Sequence, residues 1–290
     1  MKITLFGGTG FVGRALCGLL AAQGHALRVP SRDGRCAGLP AGVECVRADP
    51  HDALTLGGLI RGQDAVINLI GILHGDEAAF RRTHVELGEH IARACLAEGV
   101  PVLLHMSALN ADPHGPSLYL RSKGEAEERV HALAGYRLRV TSFRPSVIFG
   151  PEDSFLNRFA TLLRLAPGVM LLPGARARFA PVYVGDVAAA FARALTDAAQ
   201  AGQRIDLCGP RDYSLLELVR LTARWSGHSR LILPMPDAMA RAMARLMERL
   251  PNPPLTRDNL DSMRIDSVCA TDTPRQPTAM ESIAPSYLGQ

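Results

Sequence analysis

Three polar residues, Ser107, Tyr119 and Lys123, have the types and the spacing to move a proton to or from a carbonyl or an alcohol. A spacing of four places Tyr119 and Lys123 on one face of a predicted helix at 119–133, where an ammonium group lowers the pKa of a neighbouring phenol. Lysine at this position could also hold a cofactor ribose. Ser107 follows a predicted strand at 102–106, so its hydroxyl could orient a substrate oxygen. Lys123 is one of only two lysines in the chain, which favours a specific role for it. The alternative is that Tyr119 and Lys123 are accidental surface residues.

The segment Gly7-Gly8-Thr9-Gly10-Phe11-Val12-Gly13 has the pattern of a dinucleotide-binding turn, because it follows a predicted strand at 2–6 and opens a predicted helix at 14–23. Its glycines allow a tight turn and a close approach of the backbone to a pyrophosphate. The helix N-terminus adds unpaired N–H groups and the positive end of the helix dipole. The alternative is a tight turn without a ligand. The predicted cofactor-binding residues of this segment are Gly7, Thr9, Gly10, Phe11, Val12 and Gly13.

The end of the second predicted strand, at 25–29, indicates which dinucleotide binds. NAD-preferring sites usually place Asp or Glu there to hold the ribose hydroxyls, and this strand has no acid at its very end. Ser31 and Arg32 could instead bind a 2′-phosphate, which favours NADP over NAD. The alternative is that Arg32 and Arg35 are solvated loop arginines. Asp49, after the third strand, could accept a hydrogen bond from the adenine amino group or be a plain loop aspartate.

Strands and helices alternate through the first half of the sequence, which predicts an α/β fold with a Rossmann-type doubly wound parallel sheet. The six strands are expected at 2–6, 25–29, 43–46, 65–69, 102–106 and 137–143, with long helices at 77–98 and 119–133. Residues 1–150 then form the dinucleotide-binding domain. Residues 151–272 form a smaller C-terminal α/β lobe for substrate or partner, interleaved with the first domain. Residues 273–290 contain three prolines and are expected to be a poorly ordered tail.

Composition and charge exclude several classes of function. A net charge of +4 over 290 residues, with 5% aromatic residues, argues against a nucleic-acid partner. The longest apolar run, at 65–73, is far shorter than the roughly 20 residues that span a bilayer. The six cysteines are at least nine positions apart, which predicts reduced, mostly buried thiols, and no metal site is expected. The early glycine motif leaves no room for a signal peptide, so we expect a cytoplasmic protein.

A predicted helix at 239–250 has two interpretations. Its apolar stripe consists of Met239, Met243, Leu246, Met247 and Leu250, and arginines at 241, 245 and 249 lie on another face. The stripe could pack inside the smaller lobe. Alternatively, it could dock on a membrane surface or a partner, because methionine-rich faces adapt to their partners and arginines attract anionic lipid.

Together, these motifs resemble the short-chain dehydrogenase/reductase superfamily, of the extended or atypical kind. Within it, they are similar to the branch that contains the nucleotide-binding thirty-nine-kilodalton accessory subunit of respiratory complex I and its bacterial relatives. The stretches that carry this likeness, beside the glycine turn, are 68–71, 105–111, 119–123, 144–153 and 258–260. The resemblance extends through about residue 268 and is most specific at 144–153.

The resemblance implies a bound NADP(H), with Leu69, Gly71 and Pro145 joining the cofactor-binding residues. Tyr119 and Lys123 would contact the cofactor as well as the substrate, with Ser107 as the third catalytic residue. Two functions follow as expectations. One is an NADP-preferring oxidoreductase acting on a quinone-related or lipid-like carbonyl. The other is a non-catalytic, NADPH-holding accessory protein of a respiratory or quinone-biosynthesis complex, located at the inner face of the cell membrane.

Overall fold

The computed structural model describes residues 1–251 and 253–289, and its central element is a seven-stranded sheet. Apolar residues fill the inner strands, as expected for parallel strands that are covered on both faces. The strands are β1 (Lys2–Phe6), β2 (Ala26–Ser31), β3 (Glu44–Arg47), β4 (Ala65–Asn68), β5 (Val102–Met106), β6 (Arg139–Pro145) and, four strands later in the chain, β11 (Arg204–Leu207). The observed bounds shift the predicted strands by two residues at most, and β5 is at its predicted position.

The strand order is β11-β6-β5-β4-β1-β2-β3. All pairings from β6 through β3 are parallel. The chain first builds outward from β1 to β3 and then returns to β4 on the other side of β1. The carboxyl ends of β1 and β4 therefore flank the point where the strand order reverses, which is the usual ligand position in such sheets. The predicted Rossmann-type doubly wound α/β fold is confirmed.

Helices connect these strands, and their ends carry recognisable signals. Asp52 and Asp76 each cap a helix by accepting a backbone N–H, and Gly99 ends the longest connection with a φ of +69°. The predicted helix at 77–98 forms as α3, a π-helical turn at Arg81–Glu86, and α4. The helices of this part of the chain are α1 (Phe11–Ala22), α2 (Ala53–Ile60), α3 (Glu77–Phe80), α4 (Leu87–Glu98), α5 (Leu118–Ala132) and α7 (Val184–Ala194).

The chain divides into two compact units. Unit 1 consists of Met1–Gly115, Leu120–Arg144 and Val187–Ile205, and the described residues outside these ranges form unit 2. The boundary therefore differs from a simple division after residue 150, because residues 187–205 return to the first unit and residues 116–119 belong to the second. Contacts between residues far apart in sequence decide this division, so composition alone does not mark it.

Unit 2 contains short strands and amphipathic helices around two apolar clusters. Its strands pair two by two: β7 (Ile148–Phe149) with β10 (Val182–Tyr183), β9 (Arg178–Phe179) with β12 (Tyr213–Ser214), and β8 (Val169–Leu172) with β13 (Leu231–Pro234). Its helices are α6 (Leu156–Leu165), α8 (Leu215–Trp225), α9 (Asp237–Met247), α10 (Arg257–Ser262), α11 (Met280–Ile283) and α12 (Pro285–Leu288). A capping box of Ser214 and Glu217 begins α8.

The C-terminal segment is folded, in contrast to the poorly ordered tail that we expected. Met280, Ala284 and Leu288 are buried in one of the apolar clusters of unit 2. The Tyr287 hydroxyl donates a hydrogen bond to Asp153, 2.8 Å away. The three prolines of residues 273–290 predicted disorder. Pro285 instead begins the last helix, at a position where a backbone N–H would have no hydrogen-bond partner within the helix, so its absence does not destabilise the helix.

The expectation that all cysteines are reduced is also wrong for two pairs. The disulfides join Cys36 to Cys45 and Cys208 to Cys269. In both pairs the Cα atoms lie 6.0 Å apart, a separation that the sequence spacings of 9 and 61 do not reveal. Cys17 and Cys95 remain buried thiols, and burial raises their pKa values to about 11 and about 12.

Helix α1 packs unusually close to the turn that precedes it, and Gly13 makes this possible. A Cβ atom at Gly13 would lie 2.2 Å from the Gly7 carbonyl oxygen and 2.6 Å from the Gly8 Cα. Gly18, on the same helix, has open space around the corresponding position. The turn and the first turn of the helix therefore form one rigid unit whose spacing depends on the absence of a side chain at residue 13.

We expect Gly13→Ala to lower the free energy of unfolding by about 1–3 kcal/mol, because the new methyl group must push the helix away from the turn. Gly18→Ala is the matched control and should raise the free energy of unfolding by up to about 1 kcal/mol, since alanine favours helix. Urea denaturation of both variants measures the two changes. Equal effects of the two substitutions would contradict the close-packing argument.

Candidate active site

The glycine turn has the geometry that a dinucleotide pyrophosphate requires. Gly7 has a φ of +81°, and its carbonyl accepts the backbone N–H of Gly10 at 3.0 Å. Gly10 caps helix α1 without a side-chain hydrogen bond, so the N–H groups of the first turn are open to an anion. A Cβ atom at Gly7 would lie 3.2 Å from the backbone of Leu69, at the end of β4. The predicted residues Gly7, Thr9, Gly10, Phe11, Val12, Gly13 and Leu69 are thus gathered around the switch point of unit 1.

The residues after β2 form a compact turn at the edge where a cofactor ribose is expected. The Ser31 hydroxyl lies 2.6 Å from Asp33 Oδ1, and the Arg35 backbone N–H donates to the same oxygen at 3.0 Å. These hydrogen bonds hold the pKa of Asp33 below its usual range. Sequence reasoning missed Asp33 because it looked for an acid at the end of the strand. Arg32 is exposed and makes no hydrogen bond or ion pair with any described residue.

Asp49 follows β3 in the same unit and is exposed. One of its carboxylate oxygens accepts the backbone N–H of His51 at 3.0 Å, which closes a local turn. Its position at the carboxyl end of the sheet agrees with the prediction, while its hydrogen bond is that of a loop aspartate. Asp49 therefore stays a predicted adenine contact.

Lys123 is a buried cation at the carboxyl end of the sheet. Its side chain is 4% exposed, and Nζ donates a hydrogen bond to the Met106 carbonyl at 3.0 Å. A Cβ atom at Gly71 would lie 3.1 Å from Nζ, so the backbone of the predicted cofactor residue Gly71 lies directly against the amine. Burial lowers the pKa of Lys123 to about 8, opposed by the charge of Glu127.

His84 lies in the π-helical turn and contacts the same region. Its Nε2 accepts the backbone N–H of Ile72 at 3.0 Å, so the proton of the neutral ring is on Nδ1, 2.8 Å from the Ser122 hydroxyl. Burial, together with the nearby Lys123 charge, lowers the pKa of His84 to about 2. The imidazole is therefore a neutral support of the loop that carries Gly71. No sequence signal marked this histidine.

A row of polar side chains crosses the ends of β4 and β5. Asn68 pairs with His105 in the sheet register, and Asn68 Nδ2 lies 3.4 Å from His105 Nδ1. Burial, and then Lys123, lowers the pKa of His105 to about 3. Ser107 is 2% exposed, and its Oγ makes no well-formed hydrogen bond within the described part of the chain. The Glu127 carboxylate is the neighbour of this hydroxyl, and a buried hydroxyl without a well-formed hydrogen bond is unusual in a folded protein.

Glu127 is a functional candidate that sequence reasoning missed. It is 1% exposed and is paired with Arg144, and Arg204 Nε donates to the same carboxylate at 2.6 Å. Burial raises its pKa, but Arg144 and the neighbouring Ser107 hydroxyl outweigh burial and hold it below its usual range. The sequence did contain a signal for Glu127, because this residue follows Lys123 by four positions and therefore lies on the same face of α5.

Tyr119 and Pro145 belong to unit 2 rather than unit 1. The Asp258 carboxylate accepts the backbone N–H groups of Leu118 and Tyr119 at 2.6 and 3.2 Å, so it caps the first turn of α5 from 139 residues away in sequence. Burial raises the pKa of Tyr119 to about 12. The expected lowering of this pKa by Lys123 is therefore not observed, because burial dominates. Pro145 is buried at the end of β6.

The described residues contain neither a candidate metal-ion site nor a candidate membrane-spanning helix. Within the ranges 1–251 and 253–289, no group of three or more His, Cys, Asp or Glu side chains is placed to hold a metal ion. Over those same ranges, none of the helices has the length and apolar character needed to cross a bilayer.

The buried lysine makes the stability of the protein depend on pH. The unfolded chain keeps the Lys123 proton up to its ordinary pKa of 10.5, whereas the folded protein releases it near pH 8. The unfolded state therefore binds more protons in this window, and Lys123 should contribute a rise of about 3 kcal/mol in the free energy of unfolding as pH increases from 8 to 10.5.

We expect Lys123→Met to remove this rise, because methionine has no proton to release. Lys2→Met, which replaces the exposed lysine, is the matched control and should keep the pH dependence. Urea denaturation of the dinucleotide-free protein between pH 7 and pH 10 measures the difference between each variant and the wild type. An identical slope in Lys123→Met and wild type would refute the buried cation.

The sequence of this chain is similar to those of several known proteins. Over 293 residues, the chain is 29% identical to the mitochondrial NADH dehydrogenase (ubiquinone) 1 alpha subcomplex subunit 9 of Mus musculus, covering 96% of this chain and 77% of that protein. It is 30% identical to the 2-alkyl-3-oxoalkanoate reductase of Stenotrophomonas maltophilia over 176 residues, which is 54% of this chain and 53% of the reductase.

A solved epimerase has the same fold as this chain, and a protein-family model that matches the sequence identifies its family. The UDP-glucuronic acid 4-epimerase of Bacillus cereus, solved with UDP-glucuronic acid and NAD, superposes with a TM-score of 0.73 at 16% identity over 99% of both chains. The resemblance to the extended short-chain dehydrogenases and to the complex I subunit is confirmed. The family model matches residues 3–208, and the chain belongs to the NAD dependent epimerase/dehydratase family.

Proposed function

We propose that this protein is an NADP-preferring oxidoreductase that reduces a quinone-related or lipid-like carbonyl. The observation that supports it most is the buried Lys123 ammonium, held against Gly71 beside the glycine turn. A charged group is expensive to bury, and a purely structural protein gains little from it. Ser107 supports the same chemistry, because its buried hydroxyl makes no well-formed hydrogen bond although the Glu127 carboxylate is its neighbour.

Each residue of the proposed site has a distinct role. The glycine turn and the N-terminus of α1 would hold the pyrophosphate, and Asp49 the adenine. The nicotinamide, when bound, supplies the hydride. Ser107 would donate a hydrogen bond to the substrate oxygen, and Lys123 would hold the ribose. Tyr119, whose pKa near 12 keeps it protonated at neutral pH, is suited to donate a proton to a carbonyl oxygen and hence to reduction.

The preference for NADP rests on Arg32. Its guanidinium is exposed and has no partner among the described residues, so it is available to a 2′-phosphate. Ser31 would contribute less than its position in the sequence indicates, because its hydroxyl already lies on Asp33. Asp33 would repel a phosphate or accept a ribose hydroxyl, so the balance between Arg32 and Asp33 decides between NADP and NAD.

The class of substrate is inferred from relatives. The reductase from Stenotrophomonas maltophilia is named for a ketone that carries alkyl chains. A carbonyl attached to a long apolar chain is thus the first class to examine here, with quinone-related carbonyls as the second.

An accessory role without catalysis is the second candidate, and helix α9 favours it. The buried residues of α9 are Ala240 and Ala244, whereas Met239 and Leu246 are 50% and 63% exposed. Part of the predicted methionine stripe therefore faces solvent rather than the core, as expected for a docking face. Under this reading, the protein would hold NADPH at a respiratory or quinone-biosynthesis complex on the inner face of the membrane; under the first, it would act in the cytoplasm.

If the protein is an enzyme, Tyr119→Phe should reduce turnover by about 100-fold or more, because the proton donor is lost, while NADPH affinity changes little. Tyr136→Phe is the matched control, since Tyr136 is 98% exposed, and it should retain full turnover. NADPH oxidation with 3-oxoalkanoates and quinones measures turnover, and fluorescence titration measures affinity. Turnover by Tyr119→Phe at the wild-type rate would reject the catalytic role and favour the accessory role.

The assignment of NADP is tested by Arg32→Ala. Loss of a charge-assisted contact to the 2′-phosphate should weaken NADPH binding by roughly 10-fold to 100-fold and leave NADH binding unchanged. Arg35→Ala, which removes a neighbouring exposed arginine, should have little effect on either. Calorimetric titration with NADPH and NADH gives the ratio, and a ratio that Arg32→Ala does not alter would show that another group reads the phosphate.

A further inference from the structure

The connection between β2 and β3, residues 32–43, is joined to the sheet by a covalent bond. All residues of this connection are described, and they form neither helix nor strand and include no buried side chain. Its backbone hydrogen bonds close local turns, such as the bond from the Leu39 N–H to the Cys36 carbonyl at 3.1 Å. Cys36 forms a disulfide with Cys45, which lies on β3 opposite Val29 of β2. The disulfide therefore supplies a restraint that packing and local turns do not.

The turn that carries Arg32 and Asp33 is part of this connection. The proposed choice between NADP and NAD depends on these two residues, and both are exposed. The Cys45 sulfur lies 3.4 Å from the carbonyl oxygen of Gly34, the next residue of the turn. A Cβ atom on the same glycine would lie 3.2 Å from the Arg47 Cβ, so the turn is in contact with β3. The disulfide thus lies directly against the turn that is predicted to contact the cofactor.

The same connection also contacts helix α1. A Cβ atom at Gly38 would lie 3.5 Å from Cδ of Arg14. The Arg14 guanidinium donates a hydrogen bond to the carbonyl of Thr9 in the glycine turn. Residues 32–43 therefore touch the support of the glycine turn as well as carrying the turn after β2, and these are the two parts of the predicted site that would hold the adenosine half of a dinucleotide.

The Cys36–Cys45 and Cys208–Cys269 disulfides differ in their access to solvent. Cys36 and Cys45 are half-buried, whereas Cys208 is fully buried and Cys269 is 6% exposed. An attacking thiolate must reach a sulfur atom, so an accessible disulfide is reduced more readily than a buried one. A small dithiol should therefore reduce Cys36–Cys45 before Cys208–Cys269. For a protein that acts in the cytoplasm, as in the first proposed function, a reducible disulfide is typical of redox sensing.

We propose that the Cys36–Cys45 disulfide is a redox switch that controls cofactor binding. When the bond is formed, the turn with Arg32 and Asp33 is held against β3, and a dinucleotide binds a preorganised site. When the bond is reduced, the connection loses this attachment, so binding must first order the turn, which lowers the affinity. The inference rests on the proposed function, because it requires a dinucleotide at this edge of the sheet.

The switch is a two-electron thiol–disulfide exchange with an external dithiol. One thiolate of the dithiol attacks one sulfur of the pair, forms a mixed disulfide with it and displaces the other sulfur as a thiolate. The second thiol of the reductant then resolves the mixed disulfide. The dithiol ends as a disulfide, and Cys36 and Cys45 each end as a thiol that carries a proton from the reductant.

The experiment is calorimetric titration of the full chain with NADPH and NADH, before and after mild reduction with dithiothreitol. Alkylation followed by mass spectrometry identifies the cysteines that have become thiols. Reduction of Cys36–Cys45 alone should weaken NADPH binding by roughly 10-fold, which corresponds to the cost of ordering one or two side chains of the turn. NADH binding should weaken less, since NADH lacks the 2′-phosphate that Arg32 is proposed to bind.

Two double variants separate this disulfide from the other one. Cys36→Ser with Cys45→Ser should bind NADPH as weakly as the reduced wild type and should not respond to dithiothreitol. Cys208→Ser with Cys269→Ser is the matched control, since it removes the disulfide of unit 2, and it should keep the full response. Circular dichroism checks the fold of both variants, and the comparison of the two redox states of the wild type does not depend on either.

The possible results distinguish the switch from the proposed function. Equal NADPH affinity of the oxidised and the reduced wild type would overturn the switch and leave the proposed function standing. A response to dithiothreitol in Cys36→Ser with Cys45→Ser would also overturn it, because another group would then be responsible. Failure of the oxidised wild type to bind either dinucleotide would reject the proposed function, and the switch with it.

Discussion

The burial of one positive charge, the Lys123 ammonium, constrains the polar groups of unit 1 at the carboxyl end of the sheet. A lysine in the interior loses its hydration, and the protein replaces only part of it with the Met106 carbonyl. The charge states of the surrounding side chains are consistent with this buried ammonium group. His84 and His105 stay neutral, because burial and then repulsion by the Lys123 charge lower their pKa values. Glu127 stays ionised, and its charge supports the ammonium at a short distance along α5.

The buried carboxylate of Glu127 must itself be stabilised by opposite charges. A buried carboxylate is costly unless it is paired and hydrogen-bonded, and Arg144 from β6 and Arg204 from β11 meet this requirement. The outer strands of the sheet therefore contribute to the site through charge, although they lie away from the switch point. The buried Glu127 carboxylate thus depends on two arginines that the sequence alone would assign to the surface.

Membership of the family does not by itself decide between catalysis and cofactor holding, since one fold supports many functions. The relevant information lies in particular groups: a buried lysine, a buried serine hydroxyl and a tyrosine that stays protonated.

The sequence by itself determined the alternation of strands and helices, the glycine turn with its helix, and the four-residue spacing of Tyr119 and Lys123. These are local patterns, because side-chain period and turn chemistry depend on neighbouring residues. Helix boundaries were predicted within a few residues for the same reason. The position of β1 before Gly7 also followed from the local pattern, and with it the place of the predicted dinucleotide site.

Only the tertiary structure decided which distant groups meet. Asp258 caps the helix that carries Tyr119, two cysteine pairs form disulfides, and the last helices pack on an apolar cluster despite their prolines. It also decided that burial raises the pKa of Tyr119 although a lysine follows four residues later. These outcomes depend on separations in space and on desolvation, and neither quantity is encoded in the distance between two residues along the chain.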